Sequence, residues 1–198
     1  EALLAGLNED TKNILKENAA KKGVEGWMLN LKPTTYIPVM QDLDNRDIRR
    51  ELYTAYNTRC IGGEFDNTAI IVEIVNTRLA LANLFGKKNY AEKALYNRMA
   101  ETPENVYSLL NQLRDAYMPA AKAEAQELQD YASANGLYAT LQAWDWNYYS
   151  KKLKQEKYSI SDDDLRPYFE LENVKKGVFG LAERLYGLKF KENKNIQV

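Results

Sequence analysis

Four aromatic rings fall between positions 144 and 149, at Trp144, Trp146, Tyr148 and Tyr149. On a helix, Trp146 and Tyr149 share one face, and Trp144 and Tyr148 lie near another. Rings this dense could form an aromatic wall for a peptide or a sugar. They could equally anchor a core, because each ring buries a large area. A second cluster, Asp162, Asp163 and Asp164, could hold a hard cation such as calcium or magnesium. It lacks the D-x-D-x-D-G spacing of a calcium loop, and acids in the first turn of a helix also offset its positive end.

Cys60 stands next to Arg59, a neighbour that could lower a thiol pKa. A nucleophilic cysteine usually needs a histidine base, and the chain has no histidine, so a structural thiol is the better reading. Arg46, Arg49 and Arg50, with Tyr53 and Tyr56, could offer RNA a basic aromatic surface. Asp42, Asp44, Asp47 and Glu51 interleave with them, which points to ion pairing instead. Gly62-Gly63 is followed by no phosphate-binding spacing. The missing histidine also removes the commonest general acid/base and the commonest zinc ligand. Two residue-level readings remain: a helical module that binds peptides without cleaving them, and carboxylate chemistry at Asp145 with Asp162 to Asp164.

The elements that must position these residues read as helices. Asn8 can cap a helix over 9–22, with two acids in its first turn and Gly23 past its end. The apolar run Trp27 to Leu31, between Gly26 and Pro33, is the best strand candidate. Pro33 and Pro38 punctuate a short helix or turn, and Asp44 can cap a helix to about Thr58. Asn67 opens the clearest helix, ending near Phe85, whose wide apolar face predicts contact on two sides. Asn89 opens a shorter one to about Met99. Thr102, Pro103 and Glu104 are a strong start signal for a helix to about Ala134, kinked at Pro119. Asp145 can cap a helix over 146–157, Ser161 another stopped by Pro167, and 172–186 forms a last helix ended by Gly187. The fold class expected is all-α, an irregular multi-helix array with at most a small β element at Trp27–Leu31 and the C-terminal tail.

The 198 residues are 45% hydrophobic and 28% charged, with a net charge of −1. A sizeable core can form, and there is no global basic field for nucleic acid or an anionic membrane. No apolar run approaches bilayer length. Cys60 is the only cysteine, so no intramolecular disulfide forms, which is compatible with a reducing compartment.

Several stretches together resemble one family. They are N-R-D-I-R-R-E-L-Y (45–53), R-L-A-L-A-N-L-F-G-K-K-N-Y-A (78–91), M-A-E-T-P-E (99–104), A-W-D-W-N-Y-Y (143–149), K-Y-S-I-S-D-D-D-L-R-P-Y-F-E-L (157–171) and G-V-F-G-L-A-E-R-L-Y-G-L-K-F (177–190). In this order they are similar to the zinc oligopeptidases related to thimet oligopeptidase, oligopeptidase A and bacterial peptidyl-dipeptidase. The A-W-D-W and K-Y…P-Y-F-E-L forms look closest to the peptidyl-dipeptidase branch.

The resemblance implies a large helical enzyme with two halves around a deep channel, and zinc bound by H-E-x-x-H, whose glutamate activates the metal-bound water. None of those residues is present. The resemblance therefore implies that 1–198 is a single helical segment upstream of the zinc motif, binding no catalytic zinc and hydrolysing nothing alone. It would supply scaffold and one channel wall, through Trp144, Trp146, Tyr148 and Tyr149. The parent would be a monomeric zinc enzyme of the cytoplasm, or of the periplasm, removing C-terminal dipeptides from oligopeptides. The segment alone is expected to self-associate through apolar surface left uncovered.

Overall fold

The computed structural model describes residues 2–159 and 161–195, without the side chains of Asp162 and Asp163. Among the described residues there are helices and turns and no strand. The chain divides into two compact units, Glu1–Lys151 and Lys152–Val198.

The first unit begins with a short 3-10 turn, Ala2–Leu4, and continues through α1 (Glu9–Ala20), α2 (Pro33–Asp42) and α3 (Arg46–Asn57). Local chemistry sets these boundaries. The Asn8 side chain accepts the Thr11 N–H at 2.9 Å, which satisfies one of the donors a helix start leaves orphaned. Pro33 opens α2, where its missing N–H costs nothing. The cap of α3 is Asn45, whose Oδ1 accepts the Ile48 N–H at 3.1 Å. Sequence reading placed that cap one residue early, at Asp44.

The core lies where these helices meet. Leu4, Leu7, Leu15, Val39, Met40, Leu43 and Leu52 are buried together, with Leu29, Leu31, Tyr36, Ile48, Tyr53 and Trp144 packed against them. The N-terminal residues dock tightly on the end of α2. Gly6, at φ +91°, lies so close to the Asp42 carbonyl that a Cβ there would collide with it. The Asp44 N–H also donates to the Ala5 carbonyl at 2.9 Å.

Residues 27–31 form no strand. A strand needs a neighbour to pair with its backbone, and this run meets the core instead: Leu29 and Leu31 pack on the buried cluster and the Met28 N–H donates to the Leu15 carbonyl at 3.0 Å. Residues 188–195 carry no strand either.

Three further helices follow, α4 (Thr68–Leu84), α5 (Tyr90–Leu95) and α6 (Pro103–Ala134). Asn67 does not cap α4 with its side chain; Asp66 does the work, accepting from the Thr68 N–H at 3.0 Å and the Thr68 hydroxyl at 2.6 Å. Asn89 and Thr102 cap α5 and α6 as their sequence predicts, accepting from Glu92 N–H at 3.0 Å and Asn105 N–H at 3.3 Å. The α6 helix continues through Pro119 for 32 residues, about 48 Å at 1.5 Å per residue. The predicted two-sided burial of α4 is not seen within these residues. Only Ala82 of α4 is buried, while Ile70, Ile71, Val72, Ile74 and Val75 are exposed.

The α7 helix spans Ala143–Tyr158, starting before Asp145 rather than after it. The second unit holds α8 (Asp162–Leu165), a 3-10 turn (Arg166–Phe169) and α9 (Leu171–Tyr186). Ser161 and Asp164 cap each other reciprocally: the serine N–H and hydroxyl donate to Asp164 Oδ2 at 2.9 and 2.6 Å, and the Asp164 N–H donates to Ser161 Oγ at 3.2 Å. Gly187, at φ +67°, ends α9 and donates its N–H to the Glu183 carbonyl. Phe179 stacks on Phe190 at 4.5 Å.

Candidate functional site

The four candidate aromatics occupy the first two turns of α7, around one buried carboxylate. Asp145 is fully buried. Its oxygens accept from Arg46 Nε and Nη2 at 2.9 and 2.8 Å, from Arg49 Nη2 at 3.2 Å and from the Gln142 N–H at 3.1 Å. Arg49 is itself buried. Its other nitrogens donate to the carbonyls of Leu43, Asp44 and Trp144 at 2.6, 3.1 and 3.2 Å. A buried charge is tolerated only when it is paired and hydrogen-bonded, and both conditions are met here.

These electrostatics are one-sided. Burial by itself would raise the Asp145 pKa, but the Arg46 hydrogen bond, the Gln142 N–H, the Arg46 charge and the Arg49 hydrogen bond outweigh it and hold the carboxyl below its ordinary value. Arg46 is raised, chiefly by its hydrogen bond to Asp145. Such a carboxylate stays ionised and is saturated with donors. That suits a joint between α3 and α7 better than proton transfer.

Three of the four aromatics belong to this joint. The Arg49 guanidinium lies 4.0 Å over the buried Tyr148 ring, and the Tyr148 hydroxyl donates to Asp44 Oδ1 at 2.7 Å. Tyr149, also buried, meets Tyr148 edge to face at 5.0 Å. Trp144 packs edgewise on Tyr53 at 6.1 Å, with Arg46 5.8 Å from its ring. Its indole Nε1 is buried without a hydrogen-bond partner. Trp146 differs, with 45% of its surface exposed.

The other candidates separate in the same way. Arg50 pairs with Asp47 at 3.1 Å on the surface of α3, so the interleaved acids absorb one arginine of three. Asp145 takes the other two. The Arg59 guanidinium stacks 3.9 Å over Tyr56, and Cys60 is exposed at φ +58°, its carbonyl accepting the Asn67 N–H that closes the following loop. Asp164 is committed to its cap, and its hydrogen bonds with Ser161 hold its pKa down. The side chains of Asp162 and Asp163 lie outside the described residues.

Sequence reading missed the joint itself. Its one visible signal was the spacing of Arg46 and Arg49, which puts both on one helical face.

These residues do not fit the zinc that the resemblance implies. The chain has no histidine, and among the described residues no group of three or more His, Cys, Asp or Glu could hold a metal ion. No hydrolytic step is assigned to side chains of this chain.

Comparison with known proteins gives the family. The chain belongs to peptidase family M3, whose model matches residues 39–198. It is 40% identical to oligopeptidase A of Escherichia coli, with all of this chain aligned to 30% of that protein. It is 34% identical to the dipeptidyl carboxypeptidase of Salmonella typhimurium, 98% of the chain covering 29% of that relative. Saccharolysin of Saccharomyces cerevisiae is 29% identical over 86% of the chain and 24% of its own length. The chain thus spans about 30% of the length of the oligopeptidase it matches. Identity is higher to this oligopeptidase than to this carboxypeptidase.

Proposed function

We propose that this chain is the helical framework of a longer zinc-dependent peptidase that hydrolyses oligopeptides. The single observation that supports this reading is the family M3 match over residues 39–198, in a chain spanning only 30% of its relative's length. In this reading the zinc motif lies in sequence beyond Val198, and the chain alone is inactive. The compartment proposed is the cytoplasm, with the periplasm as the alternative. Among the described residues no helix is long and apolar enough to cross a membrane.

Two specificities follow from different observations. The motifs at 143–149 and 157–171 favour release of C-terminal dipeptides, whereas 40% against 34% identity favours broader cleavage of oligopeptides. The deciding experiment takes the full reading frame, digests unmodified and C-terminally amidated oligopeptides, and identifies products by mass spectrometry. Dipeptides released stepwise from free C-termini support the first specificity; internal cuts in both substrates support the second. A reading frame without H-E-x-x-H, or a full-length product without chelator-sensitive hydrolysis, ends the peptidase reading.

In the channel-wall role proposed for Trp144, Trp146, Tyr148 and Tyr149, Trp146 is the residue to test, because its exposed ring can meet a ligand without disturbing the joint. Unchanged kcat and KM in a full-length Trp146→Ala variant would remove it from the channel. The exposed apolar faces of α4 and α6, Ile71 and Val75 on one and Leu110 and Tyr117 on the other, support self-association of the isolated chain. Light scattering that stays monomeric on concentration speaks against it.

A further inference from the structure

We propose that the concave surface between the end of α4 and the end of α5 binds a small aromatic organic phosphate, of the nucleotide type. The cavity has a volume of about 710 Å³ and is lined by Phe85, Lys87, Tyr90, Lys93, Tyr96 and Arg98, among others. That size holds a ligand of several hundred daltons.

Its charge is unusual for a protein with a net charge of −1. Three cations line it and no carboxylate does. Lys87 and Lys93 are partly buried, yet neither forms an ion pair among the described residues. They lie against rings instead. Lys87 Nζ is 4.4 Å from the Tyr96 centroid, and Lys93 Nζ is 5.5 Å from Phe85 and 5.8 Å from Tyr90. The nearby acid on α5, Glu92, is turned to the Lys88 N–H at 3.0 Å.

The ligand class follows from charge and shape. One carboxylate would leave two of the three cations uncompensated, whereas a di- or triphosphate balances all three. Lysine is a good point-charge partner for phosphate, and arginine binds it through its planar fork. Phe85 and Tyr96 are 64% and 66% exposed, and such rings give a flat ligand a face to stack on. A nucleoside triphosphate combines both features.

The test titrates the 198-residue chain with ATP, inorganic pyrophosphate and a glutamate-rich tripeptide, following tyrosine fluorescence and calorimetric heat. ATP should bind saturably and more tightly than pyrophosphate, and the tripeptide more weakly than both. Lys93→Glu should weaken ATP binding at least tenfold, about 1.4 kcal/mol. Lys22→Glu, which changes net charge equally but lies outside the cavity, should leave it unaltered. Tyr96→Leu should weaken ATP and spare pyrophosphate. The two cavity variants remove no ion pair, and circular dichroism checks that they stay folded. The proposal is overturned by no saturable ATP binding up to ~1 mM ligand, the weak end of specific affinity, by equal losses in Lys93→Glu and Lys22→Glu, or by tripeptide or pyrophosphate binding as tightly as ATP.

Discussion

Replacing Asp145 with asparagine isolates the joint between α3 and α7. The two side chains are nearly the same size, so packing is preserved while the charge is lost. The variant leaves Arg49 buried, with a guanidinium that cannot discharge, facing an amide that offers one oxygen and an unwelcome N–H₂ group. Removing one partner of a buried ion pair costs about 3–5 kcal/mol. At roughly 2–4 °C per kcal/mol for a chain of this size, Tm should fall by about 6–20 °C.

The pH dependence has a definite sign. The folded-state pKa of Asp145 is depressed, so its stabilising contribution is complete above the unfolded value of about 3.9. It is lost as pH falls through that value toward the folded one. The gap in stability between the parent chain and Asp145→Asn should therefore be constant near neutrality and close below about pH 4. Thermal and urea denaturation from pH 7 down to 3 measure it. A triple replacement, Arg46→Met, Arg49→Met and Asp145→Leu, should cost less than Asp145→Asn alone, since it leaves no buried charge unpaired. A single-variant loss under about 1 kcal/mol, the range of a surface ion pair, would refute the reasoning.

Two further outcomes test the rest of the framework. Gly6→Ala should destabilise the first unit by at least about 2 kcal/mol, because the added Cβ meets the Asp42 carbonyl and the φ of +91° disfavours any side chain; a variant as stable as the parent in urea contradicts this contact. Thr102→Ala should cost about 1 kcal/mol by removing the cap of α6, whereas Thr102→Asn should restore most of it, with denaturation midpoints as the measure.

The helix ends were legible in the sequence wherever the signal was local. Asn8, Asn89, Thr102 and Gly187 terminate helices as their residue types predict, because a cap bonds to backbone two to four residues away and needs no tertiary help. One cap slipped by one residue, from Asp44 to Asn45, and at α4 the N-cap position is Asn67 as expected but the side chain that bonds the first turn is Asp66, since adjacent Asx residues can compete for the same orphan N–H groups. The candidate aromatics were visible as a cluster, but not their division into three that serve the joint and one, Trp146, that is exposed.

Tertiary structure alone decided three things. It joined Asp145 to Arg46 and Arg49, 99 and 96 residues away in sequence, for which no short-range pattern exists. It turned Trp27–Leu31 from a strand candidate into core lining, because a strand exists only where a neighbour supplies its ladder. It also gathered Lys87, Lys93 and Arg98 around aromatic rings without an acid among them. The missing histidine, by contrast, was a property of the sequence from the first reading. No folding can supply an imidazole the chain does not encode, and among the described residues no acids or cysteine gather into a metal-binding group in its place.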